Sequence, residues 1–226
     1  MKAIVLFSGG LDSTTCLALA VNEYGADNVI ALSLFYGQKH KKEIECARNI
    51  AKYYKVTHIE YNVQNIFAGT DCTLIDGNAD IPETSYAEQL IETSGKPVST
   101  YVPFRNGLFL SIAASMAISN RCNAVYYGAH QDDAAGNAYP DCSVEFNSAI
   151  TKAIQTGSGN TVSVFAPFIG KTKADVVKAG MKLNVPYKMT WSCYKGGDKP
   201  CGRCGTCIDR IKAFELNGIK DPLKYN

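Results

Sequence analysis

Residues 3–7, Ala-Ile-Val-Leu-Phe, are apolar without interruption and stop at Ser8-Gly9-Gly10. A continuous apolar run closed by glycine is the pattern of a strand buried on both faces, and such burial needs helices on both sides of a sheet. Helical spacing begins directly after the glycines, in Cys16, Leu19, Ala20 and Tyr24, with Gly25 placed to end the helix. A second strand is expected over residues 29–35, a helix over 40–54 and a third strand over 57–63. This βαβαβ alternation predicts a parallel sheet. Residues 65–101 have weak periodicity and many turn formers, and read as a long excursion that forms a wall or lid of an active site. Order resumes with a helix over 106–120, a strand over 124–129 and a polar loop holding Gln131, Asp132, Asp133, Asn137 and Asp141. A helix over 144–155, a strand over 162–165, a helix over 173–183 and a last helix over 206–216 follow. The fold class expected is α/β, with a parallel five-stranded sheet covered by helices on both faces. A catalytic domain over 1–190 would carry a small C-terminal four-Cys metal-binding region, residues 191–226, packed on it.

The chain of 226 residues is long enough for one domain with a proper core, and its 46% apolar content argues against disorder. A net charge of +2 gives no reason to expect a large nucleic-acid footprint. The opening apolar run is too short for a signal peptide, and no run approaches the roughly 18 apolar residues of a membrane helix. Nine cysteines fit poorly with a closed disulfide framework. Reduced thiols and a cytoplasmic setting are therefore expected.

A glycine-rich turn between a first strand and a first helix gathers backbone N–H groups at the positive end of the helix dipole. Gly9 and Gly10 allow close approach to an anion, Ser8, Ser13 and Thr14 add hydroxyls, and Asp12 is placed to hold Mg²⁺ between phosphate oxygens. The turn is not of the Walker type. Gly170-Lys171-Thr172 imitates the end of one, but Phe165 stands where the first glycine is required. A dinucleotide fingerprint is also missing. Ser-Gly-Gly-Leu-Asp-Ser resembles instead the PP-loop of the ATP pyrophosphatase superfamily. That resemblance implies cleavage between the α- and β-phosphates, and an adenylated rather than a phosphorylated intermediate.

Cys193, Cys201, Cys204 and Cys207 give C-x7-C-x2-C-x2-C. A two-residue spacer lets one tight turn aim two thiolates at one ion, and four thiolates suit a closed tetrahedral Zn²⁺ site of structural type. An iron–sulfur cluster uses the same ligand set and is the rival. The other cysteines are scattered: Cys16 reads as core packing, and a thiol role stays open for Cys142.

Several segments then line up in order: residues 8–15, Tyr36-Gly37-Gln38-Lys39-His40, Val102-Pro103-Phe104-Arg105-Asn106, Tyr139-Pro140-Asp141-Cys142, and Ser192-Cys193-Tyr194 leading into the remaining cysteines. Together they resemble the 7-cyano-7-deazaguanine synthase family of the queuosine-precursor pathway, over essentially the whole chain. The resemblance implies a PP-loop (adenine nucleotide alpha hydrolase-like) fold and an ATP-dependent ligase that forms a carbon–nitrogen bond. Its substrates would be 7-carboxy-7-deazaguanine, free ammonia and ATP with Mg²⁺, beside a structural Zn²⁺. Nucleotide binding falls to Phe7, Ser8, Gly9, Gly10, Leu11, Asp12, Ser13, Thr14, Thr15, Cys16 and Leu17, and catalysis to Asp12, Lys173 and Arg105. Substrate contacts fall to Asp132, Asp133, Tyr139 and Asp141, with His40 as a further nucleotide contact. Two positions depart from the family pattern, Ser143 in place of Arg and Ala166-Pro167 in place of Thr-Pro; Lys152 or Arg105 would then supply the missing charge. No nucleic-acid or membrane partner is expected, and a homodimer is compatible with this reading. Two alternatives stand beside it: adenylation of a tRNA base before sulfur or amine transfer, and a non-enzymatic zinc-ribbon module.

Overall fold

A computed structural model of the chain describes residues 1–39 and 41–226. Five strands, β1 (Ala3–Leu6), β2 (Val29–Phe35), β3 (Thr57–Asn62), β4 (Ala124–Tyr126) and β5 (Ser163–Phe165), form one parallel sheet in the order β3-β2-β1-β4-β5. Alternation along β1 sends side chains to opposite faces. Ala3 and Val5 enter a core with α1 (Leu11–Tyr24), α2 (Lys42–Tyr54), α7 (Lys173–Lys182) and α8 (Gly205–Glu215). Ile4 and Leu6 enter a second core with α4 (Arg105–Ser119) and α6 (Val144–Gly157). Both faces are thus covered, which is why the strand carries no polar residue. The start expected for α2 at residue 40, and the nucleotide contact expected of His40, lie outside the described residues.

The excursion over 65–101 has structure of its own. Its one α-helix among the described residues, α3 (Tyr86–Glu92), starts at a capping box in which the Ser85 hydroxyl accepts from the Glu88 N–H while the Glu88 carboxylate accepts from the Ser85 N–H. The excursion also shares a third core: Phe67, Cys72, Leu74 and Ile81 pack with Trp191 and all four tail cysteines. The tail is joined to the main core too, since Ala213 and Phe214 of α8 lie in the cluster of α1 and α7. The expected polar loop after β4 instead contains a short turn of helix, α5 (Gln131–Ala134), and 3₁₀ turns over Ala135–Asn137 and Pro140–Cys142.

Candidate active site

Strand order reverses between β1 and β4, and open α/β sheets place their ligands at the carboxyl ends of strands at such a point. The glycine loop follows β1 there, and Gly10 caps α1. Gly9 has φ +85°, and a Cβ on it would sit 2.5 Å from the Glu43 carbonyl oxygen and 2.6 Å from the Ala47 nitrogen of α2. No larger residue fits that approach. The loop is fastened by its own hydroxyls: the Ser8 N–H donates to Ser13 Oγ at 3.2 Å, and the Gly10 N–H donates to Ser8 Oγ at 3.2 Å. The N–H groups of the first turn of α1 have no intrahelical acceptor, so they remain available to an anion. From the next crossover Gly128 packs on the loop, where a Cβ would meet Asp12 and Ser13 backbone at 3.0–3.2 Å.

A cleft of about 200 Å³ opens beside this loop. Its polar lining includes Ser8, Asp12, Ser13, Glu43, Arg105, Asp133 and Lys173. Aromatic lining comes from Tyr36, Phe109, Tyr127, Trp191 and Tyr194, with Tyr86 reaching in from the excursion. That excursion therefore contributes wall.

The Lys173 ammonium stands 3.4 Å from Asp12 Oδ2. Its place at a helix start suggests a solvated side chain, yet it is buried. Burial alone would lower its proton affinity, and the carboxylates of Asp12, Asp133 and Asp209 outweigh that and hold it charged. Burial likewise pushes the Asp12 carboxyl up, but Lys173 and His130 hold it well below the ordinary carboxylate range. The walls of α7 explain the false Walker fragment: Thr172 is the N-cap, and its hydroxyl accepts from the Asp175 N–H. Asp132 does not line the cleft; its Oδ2 accepts from the Lys173 N–H at 2.7 Å and so anchors the same helix start.

Arg105, at the first turn of α4, reaches the cleft with its guanidinium 5.3 Å from the Tyr36 ring centre and an N–H donated to the Tyr36 hydroxyl at 3.3 Å. Asp141 is withdrawn from the cleft to accept from the Asn106 N–H at 2.8 Å. It acts as the cap that Phe104, in a left-handed conformation at φ +52°, cannot be. Tyr139 is also set behind the wall, its hydroxyl bonded to Thr100 at 2.6 Å. Cys142 lines the cleft, but burial pushes its thiol well up and removes the thiolate that thiol chemistry needs. Ser143, where the family pattern has Arg, caps α6 by accepting from the Phe146 N–H. Of the two cations considered as replacements, Arg105 lines the cleft and Lys152 is exposed on α6.

Phe7, Ser8, Gly10, Leu11, Asp12 and Ser13 line the cleft. Thr14, Thr15, Cys16 and Leu17 turn into the core instead, because the second turn of α1 is covered by β1 and α7. The Thr15 hydroxyl, for example, is engaged with the Leu11 carbonyl and the Tyr187 hydroxyl. Among functional candidates that the motifs did not reveal are His130, Glu43 and Trp191. Glu43 sits in a charged helical stretch like any surface residue, and burial pushes its carboxyl up to about 7. For His130 a sequence signal existed, its position just past the fourth strand beside Asp132-Asp133.

The ligand atoms of Cys193, Cys201, Cys204 and Cys207 lie within 4.8 Å of one another, and all four residues are buried. The Cys201 N–H points at Cys193 Sγ (3.3 Å), and the N–H groups of Arg203 and Cys204 point at Cys201 Sγ (3.4 and 3.3 Å). Amides aimed at sulfur stabilise thiolates, so this donor set fits a thiophilic metal ion.

The family model described as "Queuosine biosynthesis protein QueC" matches residues 2–218. A protein of Archaeoglobus fulgidus named 7-cyano-7-deazaguanine synthase is 45% identical over 224 residues, 99% of this chain and 90% of that protein. One of the same name from Caldicellulosiruptor saccharolyticus is 40% identical over 225 residues, 100% of this chain and 96% of the relative. Among solved structures, the U34-tRNA thiolase NcsA of Methanococcus maripaludis with its [4Fe-4S] cluster superposes with a TM-score of 0.53 at 18% identity, over 96% of this chain and 66% of that one. NMN synthetase from Francisella tularensis gives 0.50 at 15%, over 97% and 78%. At such identities these two speak for the fold alone.

Proposed function

The chain belongs to the QueC family of queuosine biosynthesis proteins, and from that premise we propose that it converts 7-carboxy-7-deazaguanine, with ammonia and ATP, into 7-cyano-7-deazaguanine. The observation that carries this reading is the meeting of two things in one cleft: a glycine loop with its Asp12–Lys173 pair, and an arginine beside aromatic side chains.

The chemical task is to turn a poor leaving group into a good one. A carboxylate repels nucleophiles, and hydroxide leaves badly. Attack of the substrate carboxylate on the α-phosphorus of ATP expels pyrophosphate and gives a mixed anhydride. Ammonia adds to its carbonyl, AMP departs, and the nitrogen sheds a proton to leave the amide. The amide oxygen attacks the α-phosphorus of a second ATP, expelling pyrophosphate while the nitrogen sheds one proton; departure of AMP with loss of the remaining nitrogen proton leaves the nitrile. The protein's share is positioning and charge compensation. Of the loop amides over Ser8–Ser13, those of the first turn of α1, Leu11 to Ser13, hold the pyrophosphate, Lys173 neutralises charge at the phosphates, and Arg105 receives the carboxylate. Asp12 is the favoured contact of the Mg²⁺ that accompanies ATP, and Asp133 faces the same space. The tail cysteines hold a structural Zn²⁺ in this reading, and free ammonium in the cytoplasm supplies the nitrogen.

Product analysis tests the proposal. Incubation with the deazaguanine acid, ATP and ammonium is expected to yield AMP, pyrophosphate and the nitrile. ADP with phosphate would overturn adenylation, and turnover that depends on added RNA would replace this substrate by a nucleic acid.

A further inference from the structure

His130 follows β4 at the N-cap of α5 and is completely enclosed. Its Nε2 faces two carboxylates at once, 3.3 Å from Asp133 Oδ2 and 3.6 Å from Asp12 Oδ1. Neither contact is aligned as a hydrogen bond, and neither ring nitrogen has another partner among the described residues. Asp12 Oδ1 is itself enclosed and unpartnered, while Oδ2 of the same carboxylate meets Lys173. A buried imidazole without hydrogen bonds is costly and is not retained for packing, which an apolar side chain would do as well. Two carboxylates held near one point repel, and each is free to swing unless something fixes it. A single N–H between them removes both difficulties. The groups facing His130 are Asp12 from α1, Asp133 from α5, Lys173 from α7 and Asp209 from α8.

We propose that His130 is a positioning residue of the adenylation step: its Nε2–H bridges Asp12 and Asp133, fixing the Asp12 carboxylate so that its other oxygen presents Lys173 to the phosphates. The residue touches neither substrate nor phosphate; it acts through Asp12. Active-site contacts of this length commonly tighten only when the ligand is bound. The inference rests on the adenylation reading above, and its test is arranged to separate the two.

Reversible adenylation without ammonium is followed by exchange of labelled pyrophosphate into ATP, in the presence of the deazaguanine acid. His130→Leu removes the donor, His130→Asn keeps one only near the position of Nδ1, and His130→Gln puts one near Nε2. The expected result is a fall of about 10–100-fold in exchange rate for Leu and Asn, the size usual for residues that orient a working group. The half-saturating ATP concentration should move far less, and Gln should recover most of the rate. Should the Leu protein fail to fold, the Asn–Gln pair carries the comparison by itself. Equal losses in Asn and Gln, or wild-type rates in Leu and Asn, overturn the inference. No exchange in the wild type overturns the adenylation reading instead. In that event ¹⁵N spectroscopy of the imidazole still decides the geometry: the proton is expected on Nε2, and a ring protonated on Nδ1 alone refutes the bridge.

Discussion

The glycine loop and the cysteine tail are built on opposite plans. The four sulfurs of the tail come from residues 193–207, and the amides that support them come from the same fifteen-residue stretch. The loop supplies amides locally, but its charged partners arrive from elsewhere: His130 from the end of β4, Lys173 from the start of α7, Arg105 from α4. A site made of neighbours in sequence can assemble around an ion; a site made of distant segments needs the whole sheet first. The two plans still touch. The Trp191 N–H donates to the Gly9 carbonyl at 3.0 Å, and the Trp191 indole donates to the Cys193 carbonyl at 2.8 Å. From α8 the buried Arg210 donates to Thr190, Ser192 and Tyr187 while paired with Asp221. This strap joins the cysteine cluster to the glycine loop.

The largest effect expected is that of Gly9→Ala. A Cβ there collides with α2, so the loop must move, and pyrophosphate exchange should fall at least ~10³-fold, beyond the loss of a single transition-state donor. Retained metal in that variant would show that the tail does not depend on the loop; loss of metal would break the distinction. Next comes Cys204→Ser, which should release the metal and destabilise the protein by more than ~4 kcal/mol, the range reached when a structural metal is lost. Thermal unfolding with metal analysis measures this, and an iron–sulfur absorption band would replace Zn²⁺ by a cluster. Chemistry stopped with stability intact would make the metal catalytic rather than structural.

A smaller effect separates the regions by pH. The Asp12 carboxyl titrates below its ordinary 3.8 in the folded chain, so the unfolded chain binds more protons in acid. The stabilisation is complete above about 3.8 and is lost as pH falls through the lower folded value. Metal binding needs deprotonated ligands, so metal release followed beside unfolding in the same acid titration separates the tail's contribution from that of Asp12. In Lys173→Met the carboxyl loses its main cation, and the Asp12 limb should move to higher pH. The smallest effect is spectroscopic. Trp191 is the sole tryptophan, so chelation of the metal and addition of ATP should each shift its emission. Silence on both counts would mean that the strap transmits nothing.

Periodicity placed the helices and strands to within a few residues, because each pattern is a local consequence of which face is buried. Strand β2 coincides with its expected range, whereas β4 is only Ala124–Tyr126, since Gly128 must close on the loop rather than continue the ladder. The apolar residues of segment 65–101 satisfy neither period because they serve two cores: Phe67, Cys72, Leu74 and Ile81 pack with the cysteine tail, while Tyr86 and Val98 join the core of α4. The four cysteines and the glycine loop were plain in the sequence, since both depend on spacing along a few residues of backbone.

What the sequence determined by itself was the alternation, the glycine turn at the head of α1 and the close grouping of four cysteines, all set by residues that touch their neighbours in the chain. What tertiary structure alone decided was the fate of the isolated polar residues. Asp132 and Asp141 became helix anchors, Tyr139 moved behind the wall, and Lys173, His130 and Glu43 turned inward. The reason is physical: a lone charged or polar side chain carries no period, and its role depends on which distant group burial places beside it.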